Sequence, residues 1–192
     1  MDPRAENSRR AIRRAALAEL AEAGYGGFAL DSVAARAGVG RSTVYRHWNG
    51  KLPLIADALE TLNEQPGVQD IGGTARERVE ILLRHLAEVL VSSPFSRCVP
   101  ALVHAAEQDA MVRSFHHEYS ARRRQALVRV IASGVQAGEF PATVDPEIAS
   151  LALSGVVFYR RLMTGDPVDP SEVPALMDAV LGPPAATRLK PS

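Results

Sequence analysis

At 192 residues, 46% of them hydrophobic and 23% charged, the chain has an ordinary globular composition and the length for one domain with a good core or for a small domain joined to a larger one. A single cysteine, Cys98, excludes an internal disulfide and a cysteine-cluster metal site, and no apolar run reaches the length of about eighteen residues that a membrane helix needs. The net charge is zero only in sum: residues 1–51 hold nine basic and five acidic side chains, so a basic front end precedes an acidic remainder.

The N-terminal stretch MDPRAENSRRAIRR has no apolar core that could serve as a signal peptide, which points to the cytoplasm and to no membrane partner. From Ser8 onward, Ile12, Ala16, Leu20 and Ala23 recur at helical spacing with arginines on the other faces, and Gly24 is the expected stop. A short helix over Leu30 to Ala37, closed by Gly38, and another over Arg41 to His47 follow. NGKLPLIADALETLNE reads as a fourth helix with Asn49 as its cap and Pro53 in its first turn. Residues 63–73, NEQPGVQDIGG, are rich in turn formers and mark a boundary. Beyond them Thr74 and Glu77 form a capping box that opens an amphipathic helix with Val79, Leu82, Leu83, Leu86, Val89 and Leu90 on one stripe. After a break at Pro94, a shorter helix is expected over Pro100 to Gln108. A long one over about Asp109 to Ala137 turns Val112, Phe115, Tyr119, Leu127 and Ile131 inward. Asp145-Pro146 and Asp169-Pro170 each pair a cap with a proline at the first helical position, starting helices that run to about Thr164 and to Gly182. PPAATRLKPS reads as a frayed tail.

No segment alternates as a strand would, so the expected fold is all-α. An N-terminal three-helix domain (1–50) is joined by a connecting fourth helix and linker (51–73) to a C-terminal antiparallel helical bundle (74–182) and a flexible tail (183–192).

Residues 30–47 are two helices around a tight turn. Small Ala34 permits a close approach, Gly38 takes the positive φ of a sharp turn, Val39 plugs the junction, and Val44 holds the second helix down. That is the plan of a helix-turn-helix, whose second helix enters the DNA major groove. The outward residues are Arg41, Ser42, Thr43, Tyr45, Arg46 and His47, followed by Lys51: hydrogen-bond donors throughout, with no acid between Asp31 and Asp57. Arginine can grip guanine O6 and N7 in two parallel bonds, while hydroxyls, imidazole and ammonium suit phosphate oxygens. A salt-bridged solvated helix would need carboxylates that this stretch does not hold. Trp48, the only tryptophan, is expected to pack under the fourth helix.

The stretch ALDSVAARAGVGRSTVYRHWNGKLPLIADAL, with AALAELAEAGYGGF before it, resembles the N-terminal domain of the TetR family of bacterial transcriptional repressors. The match lies at Gly38, Val39, Thr43, Tyr45, His47, Trp48 and Lys51 and covers about residues 8–60; weaker motifs, ASGVQAGEF and the segment from Asp145, extend it into the C-terminal part. The resemblance implies a homodimeric repressor of a double-stranded, palindromic operator, with a small-molecule effector site in its C-terminal domain. It assigns Thr43, Tyr45, His47 and Lys51 to the phosphate backbone and Arg41, Ser42 and Arg46 to the groove. Ala29 and Gly40 depart from the family pattern, which places hydroxyl residues there; Arg9, Arg10, Arg13 and Arg14 are candidates to supply the missing phosphate contacts.

Two recognition helices about 34 Å apart need something to fix their spacing. The last two helices are the candidate dimer interface, through Leu153, Gly155, Val156, Val157, Leu176 and Val180, although the same residues could pack within one subunit. Candidate effector-lining residues are Phe95, Cys98, Leu102, His104, Phe115, Tyr119 and Phe158, each of which could equally be plain core; their apolar bias points to a hydrophobic molecule. His116, His117 and Glu118 are adjacent on a helix and point apart, and Arg122, Arg123 and Arg124 read as a solvated or acid-paired face. No catalytic constellation, metal site or cofactor is expected. The alternative is a helical small-molecule-binding or catalytic protein that has lost sequence-specific DNA binding.

Overall fold

The computed structural model describes residues 3–61 and 72–184, and these form helices and connecting loops with no strand among them. The helices are α1 (Pro3–Gly27), α2 (Leu30–Ala37), α3 (Arg41–His47), α4 (Lys51–Thr61), α5 (Ala75–Ser92), α6 (Pro94–Gln108), α7 (Ala110–Gln136), α8 (Pro146–Tyr159) and α9 (Val173–Leu181). The all-α expectation therefore stands. By packing, the chain divides into two compact units: α1–α4 with Ser93–Glu118, and α5 with the rest of α7, α8 and α9.

In the first unit, α1 buries Ile12, Ala16, Leu17 and Leu20. Gly24 (φ 66°, ψ 176°) breaks it where the stop was expected, although a further turn runs on to Gly27. Val33 and Ala34 of α2, Val44 of α3, and Leu54, Ile55, Ala58 and Leu59 of α4 complete the core around α1. Helix α6 packs along α1 with Cys98, Val99 and Leu102, and Tyr25 and Leu52 lie against Ala105, Ala106 and Val112. Sequence placed the start of α6 at Pro100; it begins at Pro94. Proline fits a first helical position because its missing N–H has no partner there to lose. Pro100 sits inside the helix and forgoes one backbone bond. Burial of Cys98, Val99 and Leu102 around it offsets that loss.

In the second unit, the capping box is present: Thr74 N–H donates to Glu77 Oε2 (2.8 Å) and Glu77 N–H to Thr74 Oγ1 (3.2 Å). Glu139 adds an acceptor for Ala75 N–H at 2.7 Å, a negative charge at the positive end of α5. Val79, Leu83, Leu90, Ile131, Phe140, Leu153, Met177 and Leu181 form the core. Asp145 caps α8 through Ile148 N–H, and Asp169 and Glu172 form a capping box around a single turn, Pro170–Glu172, that leads into α9. Helix α8 ends in one wider turn, Arg160–Thr164, whose first residue holds the following loop through Asp166 and Glu172.

The cap of α4 differs from expectation: the helix starts at Lys51, so Gly50 precedes it rather than Asn49. Most of the expected 63–73 boundary and the tail from residue 185 lie outside the described residues.

Candidate nucleic-acid interface

The turn between α2 and α3 is made by backbone chemistry. Gly38 adopts φ 68°, ψ 31°, a left-handed conformation that a side chain would strain. Its N–H donates to Ala35 O (3.2 Å) and Val39 N–H reaches back to Ala34 O (3.0 Å), the paired bonds of a Schellman motif. Gly40 then caps α3 with no side-chain bond, and Ala29 likewise offers none to α2, as their residue types require. Val44, fully buried, anchors α3, and Trp48 N–H closes it on Val44 O at 3.0 Å.

With Val44 facing in, Arg41, Ser42, Tyr45, Arg46 and His47 are exposed and Thr43 is half-buried. The structure thus brings all the expected reading residues of α3 onto one small helix, with Lys51 opening α4. One expectation is corrected. The stretch lacks acids in sequence, but α2 supplies one in space: Asp31 Oδ2 lies 3.0 Å from Arg41 Nη1, and its Oδ1 accepts from the Tyr45 hydroxyl at 3.5 Å.

The basic residues of α1 also separate into two kinds. Arg13 is half-buried and donates through Nε and Nη2 to Asp57 (3.0 and 3.1 Å), so it is a structural residue rather than a flanking phosphate contact. Arg9 donates to His47 Nδ1 (3.3 Å), and Arg10 and Arg14 are exposed. Lys51 Nζ donates to Tyr25 O (3.1 Å) and sits 4.0 Å from the centre of the Tyr25 ring, tying the end of α1 to the start of α4.

Trp48 lies against α4 as expected, 6% exposed, and its indole N–H donates to Asp57 Oδ2 at 2.9 Å. Asp57 therefore receives Arg13 from α1 and Trp48 from the end of α3 at once. Sequence reasoning named Trp48 but missed Asp57 as the group that joins it.

The expected effector-lining residues fall in both units. Cys98 and Leu102 are packed into the first unit's core, where the Cys98 thiol donates to Leu17 O (3.5 Å) and burial pushes it up to about 11. Both are presented by α6 to α1. His104 is exposed beside Gln108, Phe115 is half-buried, and nothing is described of the Phe95 side chain. In the second unit Tyr119 is buried, with the Arg123 guanidinium 5.9 Å from its ring centre, and Phe158 is half-buried. His85 was not foreseen: its Nε2 is buried without a hydrogen-bond partner, and burial, then the Arg123 charge, hold the imidazole below its ordinary value. The only sequence signal was a histidine inside the apolar stripe of α5. Among the described residues, no three His, Cys, Asp or Glu side chains gather to hold a metal ion.

The candidate dimer residues divide by the face of α8 they occupy. Leu153 and Val157 are fully buried in their own unit, which corrects their assignment to an interface. Gly155 and Val156 face outward, and Leu176 and Val180 of α9 are half-buried. The outward face carries Ile148 (67% exposed), Leu151, Tyr159 and, past the helix end, Met163.

Comparison with known proteins agrees with the resemblance seen in the sequence. Residues 12–58 match "Bacterial regulatory proteins, tetR family", and residues 70–180 match "Tetracyclin repressor-like, C-terminal domain". The chain is 31% identical over 173 residues to the uncharacterized HTH-type transcriptional regulator YdeS of Bacillus subtilis, covering 89% of this chain and 86% of that one. It is 29% identical over 188 residues to the DNA-binding transcriptional repressor TetR of Mycobacteroides abscessus, covering 94% and 95%. Its fold is similar to that of the transcriptional regulator FadR from Bacillus subtilis, solved in complex with stearoyl-CoA, with TM-score 0.71 and 18% identity over 90% of this chain and 97% of that one.

Proposed function

The chain belongs to the tetR family of bacterial regulatory proteins, and from that premise we propose that it is a ligand-responsive repressor that binds a palindromic operator as a homodimer in the cytoplasm. The observation that carries the reading is the face of α3. Every outward residue from Arg41 to His47 brings a hydrogen-bond donor, and the one apolar residue, Val44, is fully buried. Arg41 and Arg46 suit guanine edges with Ser42 beside them in the groove, while Thr43, Tyr45, His47 and Lys51 suit the phosphate backbone.

A helix of this length reads only a few base pairs, so two copies are needed about one helical turn apart, roughly 34 Å. The outward stripe of Ile148, Ala152, Gly155 and Tyr159 on α8 supports a two-fold helical interface: it repeats at helical spacing, and Gly155 lets a partner helix approach closely. The effector is a small hydrophobic molecule held in the C-terminal domain. The long-chain acyl thioester bound by the FadR structure supports that class. Its binding displaces α4, and the head follows because Asp57 joins α4 to both Arg13 and Trp48.

The ligand acts only through its differential affinity for the two states; swinging a population from 99:1 to 1:99 takes about a 10⁴-fold preference. The test is fluorescence anisotropy with a duplex from upstream of the protein's own gene at moderate salt, with and without added long-chain acyl-CoA. Saturable binding reversed by the acyl thioester is expected. No binding at any protein concentration would refute DNA reading, and binding unaffected by acyl-CoA would refute that effector class.

A further inference from the structure

We propose that Asp31 is a positioning residue of the DNA-reading face, holding Arg41 and Tyr45 in one fixed arrangement and so setting sequence specificity at the expense of affinity. This rests on the reading of α3 as the recognition helix. Arg41 and Tyr45 are four residues apart and share a face of α3, and the carboxylate of Asp31, in the first turn of α2, lies between them. One oxygen is 3.0 Å from Arg41 Nη1, and the other accepts from the Tyr45 hydroxyl at 3.5 Å. The Arg41 side chain is 74% exposed, so solvent surrounds most of its long stem.

A free arginine on a groove-entering helix has two competing uses. It can pair with guanine through two parallel N–H bonds, or turn aside to any phosphate within reach. Asp31 bears on that choice in two ways. Holding Nη1 leaves the Nε–Nη2 edge, with its two parallel donors, available for O6 and N7 of guanine. Its negative charge, 41% exposed on the same surface, also repels phosphate on every sequence alike. The first effect raises the ratio of specific to non-specific binding, and the second lowers affinity for all DNA without changing that ratio. The pair has little worth as an element of stability, because both partners are exposed and solvent-screened. An acid at this point of an otherwise donor-only surface is thus accounted for by recognition.

The experiment uses the full chain with two duplexes: one selected by the wild-type protein from a random-sequence pool, and a scrambled duplex of equal length. Asp31→Asn is expected to bind the scrambled duplex several-fold more tightly and to steepen its salt dependence by about one phosphate contact. The selected-to-scrambled ratio is expected to fall by about tenfold. In an Arg41→Ala background the same substitution is expected to change that ratio by less than about twofold, since the group it positions is gone. Tyr45→Phe keeps the Arg41 pair and is expected to lower the ratio by less than Asp31→Asn does. If Asp31→Asn fails to fold, seen as lost helical circular dichroism, Asp31→Ser serves in its place with the same expectations. An unchanged ratio in Asp31→Asn, or an equal fall with and without Arg41, overturns the proposal while leaving DNA reading intact. A wild-type chain that selects no sequence overturns both.

Discussion

Replacing Asp57 by alanine tests whether the reading head and α4 are held together as the structure describes. The substitution removes a two-bond contact from Arg13 and the acceptor of the Trp48 indole N–H. The Asp57 side chain is 34% exposed and that of Arg13 21%, between the surface pairs worth about 0–1 kcal/mol and the buried pairs whose breakage costs about 3–5 kcal/mol. A contribution of about 1–2 kcal/mol for the Arg13 contact follows from that intermediate position. Trp48 is buried, so leaving its N–H without a partner adds about 1–2 kcal/mol. Asp57→Ala is therefore expected to cost about 2–4 kcal/mol in total. Asp57→Asn keeps an oxygen for the indole and loses only the charge, so it is expected to cost about half as much. Because Trp48 is the only tryptophan, its fluorescence during urea unfolding at fixed protein concentration reports this junction directly. Asp57→Ala within about 0.5 kcal/mol of wild type would refute the junction, and equal losses for Ala and Asn would refute the role of the Trp48 bond.

Cys98, pushed by burial from 9.0 up to about 11, is expected to react with iodoacetamide at pH 8 about a hundredfold more slowly in the native chain than in urea; equal rates would contradict its burial. The native thiol keeps its proton to higher pH than the unfolded one, so its contribution to stability is constant below pH 9 and is lost between 9 and about 11. Gly134→Ala would drive a methyl into the Phe140 ring and to 2.8 Å from Ala75 Cβ, and an overpacking loss of about 1–3 kcal/mol in thermal unfolding is expected. Tyr159→Glu, on the outward face of α8, is expected to lower the mass seen by sedimentation from dimer to monomer without loss of helical circular dichroism. An unchanged mass would remove α8 from the interface.

How much of this could be read in the sequence depends on how local each device is. The Gly38–Val39 turn, the Thr74–Glu77 box and the Asp145 and Asp169 caps involve residues within a few positions of one another, and each is present. The donor-only face of α3 was legible for the same reason: seven residues sorted by one buried valine. What escaped was pairing across the chain. Asp31 and Asp57 looked like the ends of an acid-free stretch, yet tertiary placement brings one to Arg41 and the other to Arg13 and Trp48. Helix α8 is apolar around most of its circumference, so periodicity could not say that Leu153 and Val157 face inward while Gly155 and Val156 face out. Helix α6 carried two prolines, each a plausible start, and its packing on α1 left no local mark.

The central claim is that α3 reads base sequence while residues beside it grip the backbone, and comparing Arg41→Ala with Lys51→Ala across a salt series on specific and scrambled duplexes tests it most directly. Arg41→Ala is expected to cost about 1–3 kcal/mol on the specific duplex and to narrow its advantage over the scrambled one. Lys51→Ala is expected to weaken both duplexes alike and to flatten the salt slope by about one. If Arg41→Ala leaves affinity and discrimination unchanged, α3 is not the reading helix and the account fails.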